Sequence, residues 1–313
     1  MVKISATVTC QYNSDFSPYL PSHFEEALDW AADSGLDGVE ICIGDYRDLD
    51  VDKIQKNISR RHLLCSTIST GQALSREGIS LTHPDKEIRN RAKKRLCEHI
   101  DAASILGSRV TVGLIRGKGV IVSGNVTSGA VDDQTASSDS TSNNSSTPVS
   151  CASPGDLIHI LADELSECGV YAASQNVTLL LEPINRNETA LLCNNRDMLN
   201  FLNLLSYPGW LKILWDSYHV NVEKESIFES LSQAGKNIGH VHLADSDRSF
   251  PGYGEIDFPL IWDALKKIGY MDWISFECLD KPAVSTNPKA DSGRIRKEAG
   301  PFAQMIRNTF EKD

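Results

Sequence analysis

No two cysteines in this chain stand in Cys-x-x-Cys spacing, and no apolar run approaches the roughly 20 residues that cross a bilayer. The eight cysteines (Cys10, Cys42, Cys65, Cys97, Cys151, Cys168, Cys193, Cys278) are scattered, which excludes a zinc ribbon or a thioredoxin-like motif. Reduced structural thiols in a cytoplasmic protein are the expectation. The opening Met1 to Val8 alternates and is too short and too polar for a secretory signal, so it reads as a first strand. Positive charge is also scarce: the formal net charge is −11, which disfavours partners bound through phosphate neutralisation. The densest basic stretch, 86–95, has the spacing of a solvated helix face, so neither a nucleic acid nor a membrane is an expected partner.

What is present is an alternation of strand-like and helix-like segments. Ser22, three residues before Glu25, predicts a capping box opening a helix whose apolar face is Phe24, Ala27, Leu28, Ala31 and Ala32, ended by Gly35. Short β-prone runs follow at 38–43, 63–69, 109–115, 178–184, 211–215, 238–243 and 273–278, with helical patterns at 88–106, 157–175, 196–205, 227–234, 258–268 and 295–310. Eight parallel strand and helix units joined by right-handed crossovers close a barrel, so the expected fold is α/β, a single (β/α)8 TIM barrel over residues 1–313. An open doubly wound sheet would carry a Gly-x-Gly-x-x-Gly turn after its first strand, and none follows Cys10. One stretch, 123–154, is rich in Ser, Thr, Asn and Asp with almost no large apolar side chains. It cannot bury enough surface to offset its ordering entropy and is expected to be a disordered, tolerated insertion between the fourth strand and the fourth helix.

Catalytic groups in such barrels sit where strands end. There the sequence places Glu182 after Leu179-Leu180-Leu181, Asp216 after Ile213-Leu214-Trp215, His242 within Val241-His242-Leu243, and Glu277 within Phe276-Glu277-Cys278. Three carboxylates at the ends of apolar runs would be costly to desolvate and would repel one another. One divalent cation resolves both problems, and three oxygens with one imidazole suit Mn²⁺, Co²⁺ or Mg²⁺, with Zn²⁺ allowed.

These residues also carry a family resemblance. The runs 182–188 (Glu-Pro-Ile-Asn-Arg-Asn-Glu), 216–219 (Asp-Ser-Tyr-His), 240–248 (His-Val-His-Leu-Ala-Asp-Ser-Asp-Arg) and 275–278 (Ser-Phe-Glu-Cys) resemble the motifs of the xylose isomerase-like barrels, most closely the ketose 3-epimerase branch. The segments 70–73 and 78–85 are similar to those of bacterial epimerases acting on 5-keto-L-gluconate and related keto sugars, within the branch that includes D-tagatose 3-epimerase. The resemblance covers nearly the whole chain apart from the polar insertion. It implies that Glu182, Asp216, His242 and Glu277 are the metal ligands and that Glu182 and Glu277 are also the proton-transfer pair. It further implies that His219 and Arg248 contact substrate oxygens and that Glu188 orients substrate and His219. His240 shares a strand face with His242, and the spacing to Arg248 selects His242. Glu40 and Arg116 are placed at the barrel mouth, with a substrate role and a structural ion pair both open.

The implied reaction is epimerisation of a keto sugar or keto sugar acid through a cis-enediolate, and a homo-oligomer (dimer or tetramer) stays open. Aldose-ketose or hydroxypyruvate-type isomerisation would use the same apparatus. An abasic-site endonuclease of the same fold would need three zincs and further histidines, and the third and fourth strands end without any. A non-catalytic sugar-binding barrel would leave the two glutamates without a purpose.

Overall fold

Eight apolar runs too short to bury their flanks alone need helices outside and filled side chains within, and the computed structural model shows that arrangement. It describes residues 1–119, 154–279 and 293–311. The strands β1 (Lys3–Thr9), β2 (Gly38–Cys42), β3 (Leu64–Ser69), β4 (Arg109–Val112), β5 (Leu179–Leu181), β6 (Leu211–Asp216), β7 (Ile238–Leu243) and β8 (Trp273–Phe276) form a closed barrel in sequence order. All pairings are parallel, and β8 closes on β1 with Lys3 opposite Trp273 and Ala6 opposite Phe276. The chain is thus a single-domain TIM barrel. The expected insertion at 123–154 lies, apart from Pro154, outside the described residues.

Helices α1 (Phe24–Asp33), α2 (Val51–Ser59), α3 (Gly71–Glu77), α4 (Lys86–Leu106), α5 (Pro154–Ser174), α6 (Asn195–Leu204), α7 (Ser217–Val222), α8 (Ile227–Ala234), α9 (Phe258–Lys267) and α10 (Arg294–Glu311) surround it. Their apolar stripes face the strands; in α1 the buried residues are Phe24, Ala27, Leu28 and Ala31. Among the described residues no helix is long and apolar enough to cross a membrane.

Several expectations are corrected. The capping box does not form: Pro21–His23 make a 3-10 turn, His23 stands at the start of α1 without a side-chain cap, and Ser22 Oγ contacts His23 Nδ1 instead. Proline's fixed φ tightens this turn and takes Ser22 away from the cap position. β4 stops at Val112, three residues short of the expected end, because Leu114–Arg116 curl into a 3-10 turn that ends at Gly117. Gly117 has φ +101°, and a Cβ there would collide with Thr82 Oγ1, so only glycine fits. That turn carries Arg116 back into the wall rather than to the mouth. Arg116 is fully buried and donates to the carbonyls of Glu182, Leu191 (3.0 Å) and Leu192 (3.4 Å). Burial lowers its pKa to about 10, and its partners are backbone oxygens.

The barrel interior is polar in places. β1 and β3 are not neighbours, yet Ser5 Oγ donates to Ser66 Oγ at 3.0 Å, a contact that runs beneath β2. His242 on β7 likewise reaches Glu40 on β2 across the barrel.

Candidate metal centre and active site

Glu182 follows β5 directly, Asp216 ends β6, His242 lies near the end of β7 and Glu277 follows β8. Each offers one ligand atom, and the four atoms lie within 4.8 Å of one another. His242 Nδ1 is 3.4 Å from Glu277 Oε2 and 3.7 Å from both Glu182 Oε1 and Asp216 Oδ2. Atoms bound to one ion at about 2.0–2.2 Å lie about 3–3.5 Å apart, so little adjustment would bring these onto a common cation. Three of them, Glu182 Oε1, Asp216 Oδ2 and His242 Nδ1, are buried without a hydrogen-bond partner. Orphaned atoms of this kind are costly, and here they converge on one point. The donor set therefore fits a divalent ion.

The neighbouring structure aims each donor. Asp216 caps α7: its Oδ1 accepts from the amides of Tyr218 (2.7 Å) and His219 (3.1 Å), which leaves Oδ2 for the centre. His242 Nε2 is 2.9 Å from Glu40 Oε2, so the imidazole donates its Nε2 proton to Glu40 and turns the Nδ1 lone pair to the centre. His240 Nε2 stands 3.5 Å from the same Glu40 oxygen, and both histidines and Glu40 are fully buried. Glu40 is thus an interior partner of His242, and neither it nor Arg116 is a mouth residue.

Crowded charge shows in the titration of the site. Burial, with Glu277 and Asp216 adding repulsion, pushes Glu182 up to about 7 against the pull of His242. Burial opposes the charged form of His242, but Glu40 and Glu277 hold its pKa well above the usual histidine range. Burial would raise Asp216 too, yet His219, His242 and Arg248 keep it below the usual carboxylate range. Glu40, buried as well, is brought down to about 2 by the two histidines.

Above this cluster opens a cavity of about 340 Å³ whose lining includes Phe16, Glu182, Glu188, His219, Arg248 and Glu277. His219 Nδ1 lies 2.7 Å from Asn185 Nδ2, which fixes the proton on Nε2; that atom is 3.6 Å from Glu182 Oε1. Burial lowers the His219 pKa to about 4, so it is a neutral donor. Glu188 Oε1 accepts from Asn185 Nδ2 and from Arg248 Nη1, both at 3.1 Å, while Arg248 Nη2 reaches Glu277 Oε2 at 3.3 Å. The Arg248 guanidinium stacks over the rings of Phe16 (4.6 Å) and Tyr218 (4.7 Å). Its turn hangs on Asp245, whose carboxylate accepts from the amides of Ser246, Gly252, Tyr253 and Ile256.

All seven sequence-derived site residues therefore meet in one place. Sequence reasoning missed Asn185, Asp245, Phe16 and Tyr218 as supports. Asn185, Tyr218 and Asp245 sit inside the motifs that drew attention to their neighbours, whereas Phe16 carries no local signal. Among the described residues only one other group could hold an ion, Glu40 with His240 and His242, and it shares His242 with the first.

Comparisons with known proteins agree with this fold. A family model described as xylose isomerase-like TIM barrel matches residues 28–298. An L-ribulose 3-epimerase of Methylomonas sp. is 35% identical over 114 residues, 36% of this chain and 40% of that protein. One of Mesorhizobium japonicum is 28% identical over 267 residues, 85% of this chain and 79% of the relative. Among solved structures, an L-ribulose 3-epimerase superposes with a TM-score of 0.76 at 26% identity, covering 100% of this chain and 96% of the other. A D-psicose 3-epimerase with D-tagatose from Clostridium cellulolyticum superposes equally well, TM-score 0.76, but at 18% identity over 99% of both chains it speaks to the fold alone. With most of its length matched by the family model, this chain belongs to the xylose isomerase-like TIM barrel family.

Proposed function

We propose that the chain is a divalent-metal-dependent epimerase of a keto sugar, working by proton abstraction and return through a cis-enediolate. The observation that carries this reading is the pairing of two carboxylates, Glu182 and Glu277, at one cation-fitting cluster on the floor of a sugar-sized cavity. The relatives named as L-ribulose and D-psicose 3-epimerases support C3 as the reacting carbon.

Glu182, Asp216, His242 and Glu277 would hold the ion, which when bound would act as a Lewis acid on the ketone and its neighbouring hydroxyl. One of Glu182 and Glu277 takes the proton from the carbon beside the ketone, and the other returns one to the opposite face, inverting the centre. Each positioned acid or base is worth on the order of 10² to 10⁴ in rate. His219 donates from Nε2 to a substrate oxygen, with Asn185 fixing its tautomer. Arg248 donates from a guanidinium held by Glu188 and by two aromatic faces. Among the described lining residues Arg248 is the sole cation, and it is shared between two carboxylates, which favours an uncharged sugar over a phosphorylated or acidic one.

The test is conversion of free ketoses in deuterated water, followed by NMR. Chelator-treated protein should lose conversion and regain it with Mn²⁺ or Co²⁺, and deuterium should appear at C3. Full activity without metal would refute the mechanism. Deuterium at C2 of an aldose product, the carbonyl having moved to C1, would replace epimerisation by aldose-ketose isomerisation.

A further inference from the structure

Helices α4 and α5 lie side by side and are joined by a ladder of side-chain contacts away from the cavity. At one end Glu164 pairs with Arg89 Nε at 2.8 Å and Lys93 Nζ at 2.6 Å, and Lys93 also reaches Glu167 at 2.7 Å. Further along, the Tyr171 hydroxyl donates to Asp101 Oδ1. Residues one helical turn apart share a face. Cys97 stands one turn after Lys93 and one before Asp101; Cys168 stands one turn after Glu164 and one before Tyr171. The rungs on either side thus bring these two cysteines opposite each other. Cys168 Sγ donates to the carbonyl of Lys93 at 4.0 Å, the same acceptor to which the amide of Cys97 is directed in a helix, so the two cysteines meet at one carbonyl.

We propose that Cys97 and Cys168 form a redox modification site that closes to an interhelical disulfide when hydrogen peroxide is the oxidant. The two sulfurs differ as an attacking and a resolving thiol should. Cys97 is partly exposed and its pKa is lowered by the hydrogen bond from Cys168; Cys168 is 1% exposed and is held in its thiol form by the same bond and by burial. In the first step the Cys97 thiolate attacks one peroxide oxygen; an S–O bond forms, the O–O bond breaks, and the leaving oxygen takes up a proton to depart as water. In the second, Cys168 sulfur attacks Cys97 sulfur; the S–S bond forms, the S–O bond breaks, and a second water leaves with the Cys168 proton. Two thiols supply two electrons, and one peroxide becomes two waters. The new bond ties the helix before β4 to the helix after it, and so brackets both β4 and the 123–154 segment.

The experiment treats reduced full-length protein with hydrogen peroxide, alkylates the remaining thiols and maps peptides after digestion with trypsin and a glutamate-specific protease, which separates Cys151 from Cys168. A Cys97–Cys168 cross-linked peptide should appear, two alkylatable thiols should be lost, and Tm should rise by about 5 °C for a closed loop of this length, reversed by dithiothreitol. Cys97→Ser should abolish the cross-link and the Tm rise while sparing metal binding. Cys168→Ser should leave a Cys97 sulfenic acid that reacts with a dimedone probe. Separate alkylation of Cys97 and Cys168 after peroxide treatment of the native protein, or cross-links to other cysteines instead, would overturn the proposal, and this mapping decides it even if a variant fails to fold.

Discussion

Glu40 does not line the cavity above the cluster, yet its replacement should weaken metal binding more than any other change outside the proposed ligand set. Its Oε2 accepts from His242 Nε2 at 2.9 Å in a fully buried pair, so it both fixes the tautomer and raises the basicity of a proposed ligand. Partners of this kind are worth about 10- to 100-fold in metal affinity, about 1.4–2.7 kcal/mol. Glu40→Gln keeps the shape and a carbonyl acceptor but removes the charge. The same charge also raises the affinity of His242 for a competing proton, so losing it partly compensates at low pH. The deficit should therefore be full at pH 8 and smaller at pH 6. Calorimetric titration of Mn²⁺ into chelator-treated protein at both pH values measures it. A folded Glu40→Gln variant with Mn²⁺ affinity within threefold of the parent at pH 8 would refute the role given to this contact.

Four further outcomes are expected. Glu182, raised to about 7, and His242, raised well above the usual histidine range, contribute stability to the metal-free protein below their unfolded values that is lost as pH rises through the folded ones. Glu40 and Asp216, both lowered, contribute stability above their unfolded values that is lost on acidification. The Tm gain on adding Mn²⁺ should grow from pH 5 to 8, because the proposed ligands bind deprotonated; a gain that shrinks over this range would contradict the assignment. Glu277→Gln should slow exchange of the substrate α-hydrogen with deuterated water by about 10² to 10⁴, and unchanged exchange would remove it from proton transfer. Arg116→Met should cost about 3 kcal/mol in urea unfolding, since it strands the carbonyls of Glu182, Leu191 and Leu192; a loss under 1 kcal/mol would show them satisfied otherwise. Deleting 123–154 should leave soluble, metal-binding protein, and insoluble product would make the segment structural.

The eight strands were legible because each is an apolar run bounded by turn residues, and their count and alternation leave few ways to close a sheet. Glu182, Asp216, His242 and Glu277 were legible for a related reason, since a carboxylate or histidine beside an apolar run is anomalous unless something compensates for its desolvation; Glu188, His219 and Arg248 were legible only through the family resemblance. Elements with weak patterns were lost. α2 buries only Ile54 and Ile58, and α3 and α7 are seven and six residues long, too short for periodicity to register. Strand ends were overrun at 115 and 184 because apolar composition continues through Leu114-Ile115 and Pro183-Ile184 after the ladder has stopped. Arg116 was misplaced for the same reason, since one 3-10 turn reverses the direction of its side chain. The His242–Glu40 contact joins residues 202 positions apart, and nothing local announces such a pair.

That long-range contact bears on how the protein is assembled. The proposed ligands are spread from residue 182 to residue 277, and their interior support comes from residue 40. An emerging chain holds Glu40 long before any ligand exists, and the last ligand arrives only with β8, the strand that seals against β1. Metal affinity is then a late property, acquired when the barrel shuts, and an ion would reward completion of the fold rather than seed it. Early fragments would have nothing to sequester metal with, and a chain stalled before β8 would be marked by its indifference to Mn²⁺.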